Sequence, residues 1–439
     1  MSAMFDSLSV RNYRLWFGGA LVSNTGAWMQ RIAQDWLVLT QLTDEDATAV
    51  GVTMALNFAP QLLLVPITGL VADRFDRRTV LFITQISMAV LGLGLGILTL
   101  AGVVQLWMVF CFALGLGLAS AFDAPVRQAF VSELVPAGKL GNAVALNASA
   151  FNAARLVGPA VAGLLVAAVG SGWVFVINAA SFAGVLIALA LLRSADFVTF
   201  TRPPRGRAVR DGIRYVRGRP DIVLVLVMVF LIGTFGFNFS VFLATMARIE
   251  FDLGPDVFGV LSSVLAIGSM TGALLSARRE RPRLRTIALA AAGFGLGLIA
   301  CAFAPNIWVF GTILVLVGYA ALTMMTTANA YVQTTTRPAL RGRVMALYLA
   351  IFLGGTPVGA PIIGWVTDVL GPRWAMGVGG LAGLVAAGVA AAFYVRTREV
   401  SIRFVRRRWP LALRYGRGDA DRDLATTEIA IVEAETQRG

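Results

Sequence analysis

Histidine is absent from this 439-residue chain, and cysteine occurs only twice, at Cys111 and Cys301. Without histidine there is no Ser-His-Asp triad and no histidine metal site, and proton transfer must use carboxylates. The sequence also holds no metal-ligand cluster, no GxxxxGKS or GxxxxGKT phosphate loop, and no soluble segment long enough to hydrolyse a nucleotide. We therefore expect no enzyme activity, no metal and no cofactor.

Charged residues are scarce, at 14% of the chain, whereas hydrophobic residues reach 57% and the mean hydropathy is +0.76. Twelve apolar runs have roughly the 20 residues that a helix needs to cross about 30 Å of hydrocarbon. A soluble all-α protein would need amphipathic outer helices, and almost none of these runs has a charged face. The sequence therefore predicts an all-α membrane protein with twelve transmembrane helices. The predicted spans are 15–39, 50–72, 79–101, 105–126, 142–168, 173–192, 222–246, 257–277, 286–304, 307–333, 344–367 and 375–395.

The Lys and Arg residues are distributed unevenly between the connections. If the N-terminus is cytoplasmic, all 37 except Arg31, Arg155, Arg248 and Arg373 lie in cytoplasmic connections and tails. The net charge of +13 then reflects membrane topology, so we expect contact with anionic lipids at the cytoplasmic face and no nucleic-acid partner. Both termini are predicted to be cytoplasmic.

The chain contains an internal repeat. GLGLGIL at 92–98 returns as GFGLGLI at 293–299, and GPAVAG at 158–163 returns as GAPIIG at 359–364, in both cases 201 residues later. Because each half has an even number of helices, both copies cross the membrane in the same direction and form two parallel six-helix bundles. The predicted divisions are an N-terminal bundle at 1–192, a cytoplasmic basic linker at 193–221, a C-terminal bundle at 222–395 and a partly disordered cytoplasmic tail at 396–439.

Two interpretations of the linker stay open. Val209, Ile213 and Val216 share one helical face, which favours a short helix lying on the inner membrane surface. A solvated basic connector explains the arginines equally well. The tail is first rich in arginine and then acidic from Asp419, which is typical of a membrane-bound segment followed by a disordered one.

These features together resemble the major facilitator superfamily of secondary transporters. The resemblance rests on twelve spans in two repeats, the basic central loop and GLVADRFDRR at 69–78 after span 2. DAPVRQAFVSELVP at 123–136, ARLVGPAVAGLL at 154–165 and VQTTTRPALRGRVMALY at 332–348 resemble more narrowly the efflux branch, which contains exporters of enterobactin, macrolides and multiple drugs. The resemblance implies the major facilitator fold, a small-molecule substrate and a monomer in a bacterial inner membrane.

The segment after span 2 is a candidate cytoplasmic latch. Gly69 and Asp73 lie four residues apart on one helical face, where a neighbouring helix can approach and the carboxylate can meet its N-terminal dipole or Arg77. In transporters that this segment resembles, the latch closes the cytoplasmic side while the cavity opens outward. Asp76 stands where the superfamily pattern prefers Gly. The residues that match the pattern are Gly69, Asp73, Arg74, Arg77 and Arg78.

Five polar residues of span 1 lie on one face of the predicted helix. They lie within an arc of about 140° at 100° per residue, which favours one side that faces protein or water. Arg31 and Asp35, four residues apart, form either a static salt bridge or a titratable proton-coupling site. Arg155 in span 5 is a candidate partner for Asp35 or for an anionic substrate. The polar residues of this arc are Asn24, Gln30, Arg31, Gln34 and Asp35.

Two further features of the first half are candidates. Asp123 and Arg127 at the inner end of span 4 favour an interfacial ion pair over a gate. Gly158 and Pro159 predict a bend in span 5, because proline removes a backbone hydrogen bond. With Gly163 they match the superfamily's antiporter signature in part, since that signature has a second glycine where Ala162 stands.

The second half has no charge within its spans. Asn238 and Asn329 lie beside Phe and Met residues, which suits an apolar or aromatic substrate, although such residues more often pack helices or contact lipid. We therefore predict that the substrate cavity is lined by Asn24, Gln30, Gln34, Asn238 and Asn329.

The combined hypothesis is a proton-coupled exporter of a lipophilic small molecule, drug or siderophore-like compound. Two alternatives stay open: a proton-coupled importer of a small nutrient, and a membrane sensor or scaffold that transports nothing. Since no nucleotide site is present, an ion gradient must supply the energy.

Overall fold

The computed structural model describes residues 3–197, 209–277, 282–398, 401–404 and 411–414. The first half of the chain folds into seven α-helices that turn back and forth. They are α1 (Arg11–Leu37), α2 (Ala47–Leu63), α3 (Val65–Arg74), α4 (Arg77–Leu100), α5 (Leu106–Glu133), α6 (Leu140–Val169) and α7 (Ser171–Leu191). Short helical turns at Ala3–Ser9, Ala137–Lys139 and Ser194–Asp196 are of the 3-10 type, and a π-helical turn at Val38–Leu42 extends α1.

The second half repeats this pattern after a short linker helix. Its helices are α8 (Val209–Arg217), α9 (Pro220–Leu231), α10 (Phe239–Thr245), α11 (Pro255–Ala277), α12 (Leu284–Ala302), α13 (Ile307–Thr335), α14 (Pro338–Leu370) and α15 (Pro372–Arg398). Two π-helical turns, Ile232–Gly236 and Met246–Glu250, join α9 to α10 and extend α10. In the tail, strand β1 (Ser401–Phe404) pairs antiparallel with β2 (Leu411–Arg414).

These helices make up twelve membrane spans. Ten stretches in the described part of the chain are long and apolar enough to cross a membrane. The remaining two spans are α1 with its π-turn, whose polar residues lower its hydropathy, and α2 with α3, which are separated at Leu64. Pro66 stands in the first turn of α3, a position where proline's missing N–H costs no hydrogen bond. The predicted fold class is confirmed.

Equivalent helices of the two halves make equivalent contacts. In the first half α5 packs on α2 and α4, and α4 packs on α7. In the second half the equivalent helix α13 packs on α11 and α12, and α12 packs on α15. The halves meet chiefly where α2 lies against α14 and where α6 lies against α11.

The two ends of the bundle differ in charge. We call the end with Arg74, Arg77, Arg78 and the linker helix the basic end. The opposite end, which carries Glu45, Asp252 and Asp368, is called the acidic end.

At the acidic end the backbones of the two halves touch. A Cβ atom added to Gly51 of α2 would lie 2.6 Å from the carbonyl carbon of Ala360 in α14. One added to Gly163 of α6 would lie 3.0 Å from the Cα atom of Gly259 in α11. At the basic end a Cβ atom on Gly69 would meet nothing within 4 Å. Among the described glycines, those in close backbone contact with the other half therefore lie toward the acidic end.

Candidate functional site

Asp35 lies near the end of α1, where the two halves meet. Only 4% of the residue is exposed, and Ser240 of α10, in the other half, lies close to its carboxylate. The adjacent Trp36 stacks on Phe258 of α11 with ring centroids 6.1 Å apart. An ionised carboxylate in such a place costs free energy unless it is paired, so its charge state bears on how the halves pack.

A static salt bridge is one of the two interpretations of Arg31 and Asp35, and the described residues show no such bridge between them. Within the described residues the guanidinium of Arg31 makes aromatic contacts instead, 4.9 Å from the ring centroid of Trp28 and 5.2 Å from that of Phe58 in α2. Arg155 of α6 lies 5.8 Å from the same Trp28 ring. The aromatic rings compete for the guanidinium because its flat face stacks on them.

The polar arc of α1 covers two different surfaces. Asn24, Arg31 and Asp35 share one side of the helix, and Asn24 is half-buried there. Gln30 lies at the other edge of the arc, where its side-chain oxygen accepts a hydrogen bond from Asn178 of α7. The prediction that Gln30 lines the substrate cavity is therefore corrected. Gln30 lies in the interior of the first half, because α7 packs against that edge of α1.

Gln34 lies between these surfaces and is buried. Its side-chain nitrogen has no hydrogen-bond partner among the described residues. A buried donor without a partner costs about 1–3 kcal/mol. Gln34 is thus available to a bound group or to water.

Gly158 brings α6 against α1 beside the arginines. A Cβ atom on Gly158 would lie 2.7 Å from the Cβ atom of Trp28. The helix α6 runs through Pro159 without interruption, and Gly163 contacts the first turn of α11. The sequence predicts a bend and the close approach of another helix here, and the structure shows two close helix contacts, at Gly158 and at Gly163.

The second half has a break that the sequence analysis missed. After the π-turn at Ile232–Gly236, Phe237 and Asn238 leave the helical conformation before α10 begins. Asn238 is fully buried, and its side-chain nitrogen donates to the carbonyl oxygen of Thr234 at 2.7 Å. Its side-chain oxygen has no partner within the described chain. Interrupted helices at mid-membrane commonly mark binding sites. Gly233 and Gly236 are the sequence features that could have predicted this break.

Most of the phenylalanines around this break pack on one another. Phe237 lies 6.0 Å from Phe294 and 5.9 Å from Phe352, measured between ring centroids. They form an aromatic core inside the second half. Asn329 lies apart from them on α13, where its side chain accepts a hydrogen bond from Gln333 at 2.8 Å.

The latch segment has a defined local structure. Asp76 caps α4 by accepting a hydrogen bond from the backbone N–H of Thr79 at 2.8 Å, which explains an acid where the superfamily pattern prefers glycine. Arg77 pairs with Glu133 of α5 at 2.6 Å, a partner that the sequence analysis did not name. Arg74 is exposed and Arg78 lies over the ring of Phe82. The side chain of Asp73 lies outside the described set.

Asp123 and Arg127 form a buried network within the first half. Their side chains pair at 2.8 Å, and Thr84 and Gln85 of α4 both donate to the other carboxylate oxygen of Asp123. Arg127 also lies over the ring of Trp16. These contacts join α1, α4 and α5, as expected of an ion pair that holds helices together.

A charged seal closes the acidic end, and the sequence analysis did not find it. Arg248 pairs with Glu45 of the other half at 2.9 Å and with Asp252 at 3.0 Å. Asp368 of α14 accepts hydrogen bonds from the first backbone N–H groups of α2, those of Ala47 at 2.8 Å and Thr48 at 2.9 Å. The seal thus joins the halves by an ion pair and a helix cap. The acidic loop TDEDAT at 43–48 is the sequence feature that could have predicted an ion pair with Arg248.

Comparison with known proteins agrees with this architecture. In Staphylococcus aureus the staphyloferrin A transporter is 24% identical over 396 residues, covering 89% of this chain and 97% of its own. The multidrug efflux pump Tap of Mycolicibacterium fortuitum is 27% identical over 396 residues, covering 87% and 95%. The solved structure of a D-xylose-proton symporter superposes with a TM-score of 0.67 at 15% identity, covering 87% and 97%.

The family described as transmembrane secretion effector matches residues 2–416, almost the whole chain. Within the described residues no group of three or more His, Cys, Asp or Glu could hold a metal ion. Members of this family are transporters and not enzymes. With its twelve spans and its efflux relatives, the chain belongs to the transmembrane secretion effector family of the major facilitator superfamily.

Proposed function

We propose that the protein exports a lipophilic small molecule, drug or siderophore-like compound from a bacterial cell in exchange for protons, by alternating access of its two halves. The observation that carries this proposal is the burial of Asp35 in the contact between the halves. The efflux and siderophore relatives support the direction and the kind of cargo.

Proton coupling needs a carboxylate whose access changes during the cycle. Asp35 meets Ser240 of the other half while the acidic end is closed. When the halves separate there, Asp35 loses this contact and becomes open to the solution on that side. Proton uptake neutralises a carboxylate that is costly to bury, so the proton occupancy of Asp35 biases the choice between the two conformations.

The orientation follows from charge. The basic end carries most of the arginines, so we assign it to the cytoplasm, where it contacts anionic lipids. In this orientation both termini are cytoplasmic and the conformation described above is closed toward the outside. We propose that one copy in the inner membrane is a complete transporter, because each half supplies part of the central contact.

The proton gradient supplies enough energy for this task. One proton that enters across 100 mV releases about 2.3 kcal/mol, which supports a concentration ratio of about 50.

The test measures accumulation of a panel of lipophilic dyes in inside-out vesicles. Wild type is compared with Asp35→Asn and with Asp196→Asn, a control on an exposed carboxylate next to the linker. Nigericin together with valinomycin, in potassium buffer, collapses both the pH gradient and the membrane potential. We expect dye accumulation in wild type and in the Asp196→Asn control, and we expect the two ionophores to abolish it. We expect no accumulation in Asp35→Asn.

Other outcomes are decisive in different ways. Gradient-dependent accumulation that survives in Asp35→Asn would remove Asp35 from the coupling site but leave export in place. Uptake of the dyes into intact cells, with none into inside-out vesicles, would select an importer.

A further inference from the structure

Two arginines from different helices lie against one tryptophan in the middle of the first half. Arg31 of α1 and Arg155 of α6 lie 4.9 Å and 5.8 Å from the ring centroid of Trp28. Gly158 permits this arrangement because any side chain at that position would push α6 away from Trp28. We call Arg31 and Arg155 the arginine pair.

The two positive charges of the arginine pair are not fully balanced by negative charge among the described residues. In the part of the chain that the structure describes, neither guanidinium forms a salt bridge or a hydrogen bond with the protein. The two groups repel each other, and Asp35 is the acid whose field reaches Arg31. With Asp35 ionised, this cluster of three charges carries one net positive charge.

Aromatic contacts and water do not remove this imbalance. A cation–π contact contributes about 0.5–2 kcal/mol and leaves the five N–H donors of a guanidinium unused. Water in the cavity can accept from those donors, but it brings no negative charge. Charged residues at mid-membrane normally pair or mark a substrate path, and neither arginine forms an ion pair with another described residue.

An anionic group fits this arrangement. Carboxylates and similar oxyanions accept paired hydrogen bonds from guanidinium forks. The neighbouring rings of Trp28, Phe58 and Phe151 offer an apolar surface to the rest of the molecule, with Phe151 6.0 Å from Trp28 between ring centroids. We propose that the cargo carries a negatively charged oxyanion, which binds to Arg31 and Arg155 while its lipophilic body lies on these rings. This inference rests on the proposed transport function.

The charge of the cargo affects the energetics of transport. An anion that leaves a cell with a negative interior moves down the electrical potential and releases about 2.3 kcal/mol per charge for each 100 mV. A membrane potential without a pH gradient is therefore expected to drive its export.

The test uses three probes with one aromatic body and different charges: 2-naphthoate, 2-naphthamide and 2-naphthylmethylammonium. Their binding to the purified full-length protein in lipid nanodiscs is measured by equilibrium dialysis. Wild type is compared with Arg31→Gln, Arg155→Gln and the control Arg373→Gln, which alters an arginine at the acidic end. Thermal unfolding checks that each variant is folded.

We expect the carboxylate to bind wild type and the control at least tenfold more tightly than the amide, a difference of about 1.4 kcal/mol. The ammonium probe should bind most weakly. In Arg31→Gln and Arg155→Gln the advantage of the carboxylate should fall to less than about threefold.

Three results would overturn the inference: equal affinity for carboxylate and amide, preference for the ammonium probe, or an advantage that persists in both arginine variants. Absence of naphthoate binding to wild type up to about 10 mM would overturn it as well. Gradient-driven export of neutral or cationic dyes would keep the proposed function while rejecting an anionic cargo.

Discussion

The close contact between α2 and α14 makes Gly51→Ala a sharp test of how the acidic end closes. The added Cβ atom would lie 2.6 Å from the carbonyl carbon of Ala360 and 2.9 Å from the Cα atom of Pro361. Carbon atoms in contact need about 3.5–4.0 Å, so α2 and α14 must separate by about 1 Å. The obstacle is backbone, which cannot rotate away as a flexible side chain can.

The magnitude follows from the cost of overpacking. Such contacts cost about 1–3 kcal/mol in the state that contains them, which shifts a two-state equilibrium by about 5- to 150-fold. The penalty applies to the conformation that is closed at the acidic end. Gly51→Ala should therefore favour the conformation that is open there. Gly364→Ala, which would place a Cβ atom 2.7 Å from the Cα atom of Thr48, should act the same way.

The assay is pulsed electron spin resonance between labels at Asp44→Cys and Trp374→Cys, two exposed positions at the acidic end of opposite halves. The native cysteines, Cys111 and Cys301, are both free and are first replaced by Ser and Ala. Gly388→Ala is the matched control, because its added Cβ atom would meet nothing within 4 Å. Like Gly51→Ala, it replaces glycine by alanine inside a helix, so both variants gain the same intrinsic helix propensity.

We expect a longer label distance in Gly51→Ala and Gly364→Ala than in the control. If both variants are folded and give the wild-type distance distribution, the closed acidic end does not depend on the α2–α14 contact, and the reasoning is refuted.

Two further predictions concern charged contacts. Asp368→Ala removes the acceptor that α14 offers to the first two N–H groups of α2, while the N-cap Asp46 stays in place. The loss should cost the closed state about 0.5–2 kcal/mol; the Asp44–Trp374 label distance should lengthen, and an unchanged distance would contradict the seal. Arg77→Gln removes the 2.6 Å ion pair between Arg77 and Glu133 and should lower the Tm. Arg74→Gln, at an exposed site, should not. Equal Tm values for these two variants would reject a stabilising Arg77–Glu133 pair.

The membrane spans could be predicted closely because each depends on local composition. The predicted span at 286–304 corresponds to Leu284–Ala302, and the one at 307–333 to Ile307–Thr335. Hydropathy is a sum over neighbouring residues, so no tertiary information is needed to find such a helix. The break at Phe237 and Asn238 escaped prediction because its stabilising contacts come from α14, far along the chain.

The candidate site could be predicted only as a set of residue types on one helix. The spacing of Arg31 and Asp35 permits a salt bridge, but it does not exclude competitors from other helices. Trp28, Phe58 and Arg155 surround Arg31 in space. Only the packing of α2 and α6 on α1 reveals that the guanidinium is directed to aromatic rings.

The sequence by itself determined that the chain spans a membrane twelve times in two repeated halves, because hydropathy, arginine distribution and repeat period are properties of the linear order of residues. The tertiary structure decided which end is closed and which charges lack a partner. Glu45 meets Arg248, and Gln30 turns to Asn178, through contacts between helices distant in sequence. Charge pairing depends on distances of a few ångströms, which are set by helix packing and not by residue order.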